Sequence, residues 1–98
     1  MRQAAMERRI RELQHRIRAA RGELAVLDEQ IEVLAEEAEE AGVRSLVAES
    51  TLAERESADA RRHLGLAQRA AATLRAEIDA CVTNRDRLLR DLPVASRK

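Results

Sequence analysis

Few side chains in this chain have the chemistry needed for catalysis or metal binding. Cys81 is its only cysteine, and His15 and His63 are its only histidines. A reactive cysteine usually has a histidine or another cation beside its thiolate, and a zinc site needs three or four His, Cys or carboxylate ligands. Neither histidine has a second His or Cys three or four residues away. We therefore expect Cys81 to be a buried structural residue, and we expect no metal site.

Sequence motifs for catalysis are also missing. The three glycines are isolated, so there is no glycine-rich phosphate loop, and no nucleophile elbow occurs. The sequence therefore predicts no enzymatic activity, no cofactor and no small-molecule substrate. A single cysteine cannot form an internal disulfide, and no apolar run reaches the length of a signal peptide or a membrane span. These features predict a cytoplasmic protein without a transmembrane segment.

Two apolar seams would position these side chains. From Met6 to Ala41 the apolar residues recur at gaps that alternate between four and three, which is the heptad pattern of a coiled coil with apolar positions a and d. A second seam of the same spacing runs from Ala53 to Leu92. Its charged member, Arg85, is either a side chain that reaches solvent near the helix end or a determinant of register. The main seam residues are predicted to be Ile10, Leu13, Ile17, Leu24, Leu27, Ile31, Leu34, Leu64, Ala67, Ala71, Leu74, Ile78, Cys81 and Leu88.

Local signals divide the chain into two helices within a single hairpin domain, 1–98. Gly42 follows the first seam and is predicted to cap a helix over about 2–41. A connection over about 42–50 comes next. Thr51 and Glu54 have the spacing of a capping box at the start of a helix over about 51–91. Pro93 ends that helix, which leaves a polar tail over 92–98.

These boundaries predict an all-α fold in which two long antiparallel helices form a coiled-coil hairpin. A turn near residues 47–48 would place seam residues opposite each other when their numbers sum to about 95. Ile31 would then face Leu64, and in the next three layers a large residue would meet a small one, in the pairs Leu27 with Ala67, Leu24 with Ala71 and Ala20 with Leu74. The apolar residues of the connection are expected to cover the end of this core: Val43, Leu46 and Val47.

Charge and apolar residues outside the seam indicate a partner. Residues 1–21 contain seven arginines and two glutamates, whereas 22–41 contain eight acidic residues and no basic one. Two hairpins could therefore associate antiparallel as a four-helix bundle, with the acidic tip of one on the basic end of the other. We predict either this homodimer or a helical protein partner. The surface expected to bind it consists of Val26, Val33, Glu36, Glu37, Glu39 and Glu40.

Two segments carry a resemblance to known proteins. Residues 24–30, LAVLDEQ, and 48–56, AESTLAERE, resemble those of small coiled-coil proteins of high-GC bacteria, and this resemblance implies a helical hairpin but no activity. The predicted hairpin is also similar in shape to the coiled-coil domain of Gre-type transcription factors, which insert an acidic tip into the secondary channel of RNA polymerase. By that resemblance the residues near the tip would be Glu36, Glu37, Glu39, Glu40 and Glu49.

The sequence thus predicts a non-enzymatic coiled-coil interaction or structural module that acts through protein–protein contacts. The alternative is a regulator of transcription, or of another nucleic-acid machine, that uses the acidic tip or the basic open end. Direct nucleic-acid binding is not expected, because acidic residues are interleaved with the arginines and no aromatic residue is available to stack on bases.

Overall fold

Two long helices make up the fold. The computed structural model describes residues 2–93, in which α1 runs Arg2–Ala48 and α2 runs Thr51–Asp91. The chain reverses direction at Glu49 and Ser50, and no strand occurs in residues 2–93. The predicted fold class is therefore confirmed: the protein is an all-α hairpin of two long antiparallel helices.

The first helix does not end where the sequence suggested. It continues through Gly42 to Ala48, so the predicted connection over 42–50 shrinks to two residues. Gly42 does not have a positive φ, and the residue in the left-handed region is Glu49, at φ 49°. The Glu49 N–H donates to the Ser45 carbonyl at 3.2 Å and closes the helix there. A glycine permits the left-handed conformation but does not require it, which is why the prediction of a cap at Gly42 was wrong.

The second helix starts with a side-chain cap from Ser50. The Ala53 N–H donates to Ser50 Oγ at 3.1 Å, so the N-cap is Ser50. It lies one residue before Thr51, which was predicted to form a capping box with Glu54. At the other end, the Leu92 N–H donates to the Leu88 carbonyl at 3.1 Å. Leu92 is buried, so the predicted polar tail begins with a core residue; the rest of that tail, 94–98, lies outside the described residues.

Both helices contribute to each of two compact units. The terminal unit comprises Met1–Glu23 and Leu74–Lys98, of which residues 2–23 and 74–93 are described, and the loop unit comprises Leu24–Thr73. In the terminal unit the seam is closed, and Leu13 has only 1% of its surface exposed. The other buried apolar residues of this unit are Ile10, Ile17, Ala20, Ile78, Cys81 and Leu92.

The loop unit has a more open seam. Its buried residues are small, namely Ala41, Ser57 and Ala71. The Ser57 hydroxyl accepts a hydrogen bond from Arg61 Nη1 at 3.0 Å, which satisfies this buried polar group. The large seam residues of this unit are only half-buried: Leu24, Leu27, Ile31, Leu34 and Leu64.

The turn at Glu49 and Ser50 shifts the register that was predicted from the sequence. Its midpoint makes residues oppose each other when their numbers sum to about 98 or 99, and Ser57 Oγ lies 4.0 Å from where a Cβ on Gly42 would be. Ile31 therefore lies opposite Ala67 and not Leu64, which corrects the predicted pairing. In this register Ile31 and Leu27 oppose the small Ala67 and Ala71, whereas Leu34 opposes Leu64, so the predicted alternation of large and small residues holds only in part.

Gly42→Ala tests the position of the helix end. Because Gly42 lies within α1 and a new Cβ would meet Ser57 Oγ at an ordinary contact distance, we expect the free energy of unfolding to rise by about 0.5–1 kcal/mol. Glu49→Gly should also stabilise the fold, since it relieves the left-handed conformation of a residue with a Cβ. Urea denaturation measures both changes. A loss of stability in Gly42→Ala would mean that the helix ends at Gly42.

Leu13→Ala and Leu27→Ala compare the seams of the two units at the same heptad position. We expect Leu13→Ala to lower the free energy of unfolding by about 2–5 kcal/mol, because the residue is fully enclosed. Leu27→Ala should cost about half as much, because Leu27 is only half-buried. Equal losses in urea denaturation, measured at protein concentrations too low for self-association, would contradict the difference in burial.

Candidate interaction surface

The residues that could carry chemistry are kept apart. Cys81 is a free thiol buried in the terminal unit, whereas His15, in the same unit, is exposed, as is His63 in the loop unit. Among residues 2–93, no three His, Cys, Asp or Glu side chains come together as a possible metal site. Arg85 is half-buried and bonds to Asp86 Oδ1 at 3.1 Å. The Arg85 side chain is 25% exposed and this contact lies within α2, so it does not choose between the two interpretations of this residue.

Large exposed apolar side chains are concentrated in the loop unit. Every large hydrophobic residue found exposed in the described part of the chain belongs to it: Val26, Val33, Val43, Leu46, Val47, Leu52 and Leu66. The expectation that Val43, Leu46 and Val47 cover the end of the core is wrong, since Leu46 and Val47 are each 80% exposed. The continued helix carries these three residues at positions f, b and c of the heptad, which point away from the seam.

Five of the seven exposed apolar residues share one side of the loop unit. In an antiparallel helix pair, the c and g positions of both helices lie on the same side, and the b, e and f positions lie on the other. We call the c and g positions of the loop unit its c/g face. The exposed apolar residues at c positions are Val26, Val33 and Val47 on α1 and Leu52 and Leu66 on α2. In the observed register Val33 lies level with Leu66, and Val47 with Leu52.

The middle of the c/g face carries no charge. Between Val26 and Val33 on α1 the g position is Gln30. On α2 the corresponding stretch has no acidic or basic residue at c or g, and its members are His63, Leu66, Ala70 and Thr73. Carboxylates return only toward the turn, at Glu37, Glu40, Glu56 and Asp59, where Arg44 is the one basic residue of the face. The neutral centre is therefore bordered by acidic residues on one side.

Acidic residues of α1 collect on the other side of the loop unit. This unit has eleven acidic and five basic residues, a net charge of −6. Those of α1 at b, e or f positions are Asp28, Glu29, Glu32, Glu36 and Glu39. The predicted partner surface is thereby divided, because Val26, Val33, Glu37 and Glu40 lie on the c/g face, whereas Glu36 and Glu39 do not. Glu36 and Glu39 instead line a shallow depression with Glu40, Val43 and Arg44.

Leu52 and Leu66 belong to the c/g face but not to the partner surface predicted from the sequence. Both occupy c positions of the second seam, so the heptad numbering that identified Val26 and Val33 would have found them had it been applied to α2 as well. What the sequence did not provide was the register, which places Leu66 beside Val33.

The terminal unit is basic. Its described residues include eleven arginines and seven acidic residues, a net charge of +4. One ion pair joins its two helices, from Arg16 Nη2 to Glu77 Oε1 at 3.4 Å, and both side chains are about half exposed. Such surface pairs contribute little to stability. A groove of about 280 Å³ is lined by Gln14, Ile17, Arg18, Arg21 and Arg85.

Comparison of the chain with protein-family models, with curated proteins and with solved structures finds no match. Within residues 2–93, neither helix combines the length and the apolar character that a membrane span needs.

Thiol labelling tests the placement of Cys81. Because the side chain is 5% exposed, we expect it to react with a thiol reagent on the order of 100-fold more slowly in the native protein than in denaturant. Absorbance of the released thiolate from Ellman's reagent measures the rate. The control is Thr83→Cys in a Cys81→Ala background, since Thr83 is exposed in the same unit and should react at the rate of a free thiol. Fast labelling of native Cys81 would place it outside the core.

Proposed function

We propose that this protein is a non-enzymatic coiled-coil interaction module whose loop unit docks on helices of another protein molecule. The observation that carries the proposal is the c/g face, where five large apolar side chains are exposed on one side of a unit with a net charge of −6. Val26, Val33 and Leu66 border the uncharged centre of this face, whereas Val47 and Leu52 lie beyond its carboxylates toward the turn. Contiguous exposed apolar surface of the first kind is typical of binding sites.

The chain exposes more surface than a compact protein of its mass. It exposes 7281 Å², whereas a folded monomer of 11.0 kDa is expected to expose about 5,600 Å². A standard protein–protein interface buries about 800 Å² on each partner, so the difference of about 1,700 Å² is more than enough for one such interface. The area therefore permits a partner, and the c/g face is the observation that favours one.

The apolar residues of the c/g face can supply part of the binding free energy. Burying a Val or Leu side chain completely is worth about 1.5–3 kcal/mol, so the five residues, which are 53–80% exposed, each contribute about 1–2 kcal/mol. Association itself costs about 4–15 kcal/mol in lost freedom. Five such residues roughly offset the lower end of that cost, which favours reversible binding supported by further contacts from the half-buried Leu27 and Leu34.

A regulator of transcription or of another nucleic-acid machine is our second candidate. Its support is the distribution of charge, with exposed glutamates in the loop unit and a net charge of +4 in the described part of the terminal unit. This candidate differs in which substitutions should impair binding. Binding would depend on Glu36, Glu37, Glu39 and Glu40 or on the arginines, and it would tolerate changes on the c/g face.

Affinity purification from the native cell after cross-linking separates the two candidates. We expect a helical protein, or a second copy of the chain, to be recovered with the wild type and to fall at least tenfold with Leu66→Glu. The matched control is Leu46→Glu, since Leu46 is also exposed in the loop unit but lies off the c/g face.

The recovered proteins decide between the functions. RNA polymerase or ribosomal proteins that are retained by Leu66→Glu, and lost when the glutamates are changed to glutamine, would favour the regulator. Enrichment of no protein, including no second copy, would contradict the interaction module.

A further inference from the structure

We infer that the occupant of the c/g face is a second copy of this chain, packed antiparallel across a two-fold axis that passes near Val33 and Leu66. This inference rests on the proposed function and names its partner and its geometry. In this arrangement α1 lies along α1 of the second copy and α2 along its α2, so that two loop units form a four-helix bundle.

Self-association requires a surface whose charged residues do not repel their own counterparts on the second copy. In a two-fold interface each residue near the axis meets its own counterpart, so a carboxylate there would face another carboxylate. The centre of the c/g face meets this requirement, because it consists of Gln30, Val33, His63, Leu66 and Ala70 and includes no Asp, Glu, Lys or Arg. On the b, e and f side α1 places five acidic residues, which would lie along those of the second copy in this arrangement, whereas the four arginines of that side all belong to α2.

The acidic residues beside the turn determine the direction of packing. If the two copies were parallel, Glu37 and Glu40 of one would face Glu56 and Asp59 of the other. About an axis at Val33 and Leu66, antiparallel packing instead places Glu37 near Gln30, Glu40 level with Val26 and Asp59 level with Thr73 of the second copy, all of which are uncharged partners. Glu56 comes level with Glu77 of the second copy, whose carboxylate pairs with Arg16. Three of the four carboxylates are thus separated from like charges, while the neutral centres still meet.

The incomplete seam of the loop unit fits the same occupant. Leu27 and Leu34 occupy d positions, which border the c/g face, and both are only half-buried in the single chain. A second loop unit laid across this face covers them together with Val26, Val33 and Leu66. The face is two helices wide, and an occupant that is also two helices wide covers it from edge to edge.

Sedimentation equilibrium of the full chain with Val33→Glu and Val43→Glu tests the inference. The two residues are of the same type, belong to the same helix and are 55% and 56% exposed, but only Val33 is on the c/g face. We expect wild type and Val43→Glu to reach about twice 11.0 kDa at tens of micromolar. Val33→Glu should weaken the dimer at least tenfold, with unchanged helix content by circular dichroism.

Disulfide formation tests the direction of packing without introducing a charge into the interface. In a Cys81→Ala background, Leu66→Cys should form a covalent dimer under mild oxidation, because the antiparallel axis brings Leu66 next to its own counterpart. Leu46→Cys in the same background is the control and should form no covalent dimer under the same conditions. Parallel packing would instead place Leu66 against Val33 of the second copy, and cross-linking would then require cysteines at both positions.

Two results would overturn the inference. One is a wild-type protein that stays monomeric up to 200 micromolar, about tenfold above the concentrations at which we expect the dimer. The other is equal weakening by Val33→Glu and Val43→Glu. A monomeric protein that still captures a helical partner in a Leu66-dependent manner would leave the proposed function standing, so the two failures can be told apart.

Discussion

A contact between two helices buries only the a and d positions, which are two residues in every seven, and the rest of this structure follows from that limit. The alternating spacing of four and three keeps one stripe of each helix turned toward the other. All fourteen residues predicted for this seam are buried or half-buried. The remaining positions must either be compatible with water or be covered by another molecule. In the loop unit the c positions carry valine and leucine, which are poorly suited to water.

Charge gives the two sides of the loop unit different properties. The acidic residues of α1 do not stabilise that helix through its dipole, because α1 has no acidic residue in its first turn and no basic residue in its last. By contrast, α2 has Glu54 in its first turn and Arg90 in its last. Since the charges of α1 are not arranged to stabilise the helix, their concentration on the b, e and f side acts mainly to keep that side in water.

The sequence alone was sufficient to predict the two helices and the seam residues that pack between them, because heptad spacing is a direct consequence of helix geometry. It was not sufficient for the turn. Glycine at position 42 and glutamate at position 49 could each close a helix, and the choice between them depends on where the two seams come into register. The predicted end of α1 was seven residues too early, which gave every pair of facing residues the wrong register. Ile31 was therefore matched to Leu64, and the position of Leu66 beside Val33 could not be predicted.

The same register explains why the apolar surface lies in the loop unit. Near the turn, small residues of the two helices face each other, with Ala38 level with Ala60 and Ala41 level with Ser57. These pairs let the helices approach closely but bury little apolar area. In the terminal unit the seam instead contains Ile10, Leu13, Ile17 and Ile78, all of which are buried. A unit with a full seam has little left to gain from a partner. In the proposed dimer, a unit whose seam is made of small and half-buried residues would gain both the cover of its c/g face and the completion of its own core, so binding and stability would be coupled there.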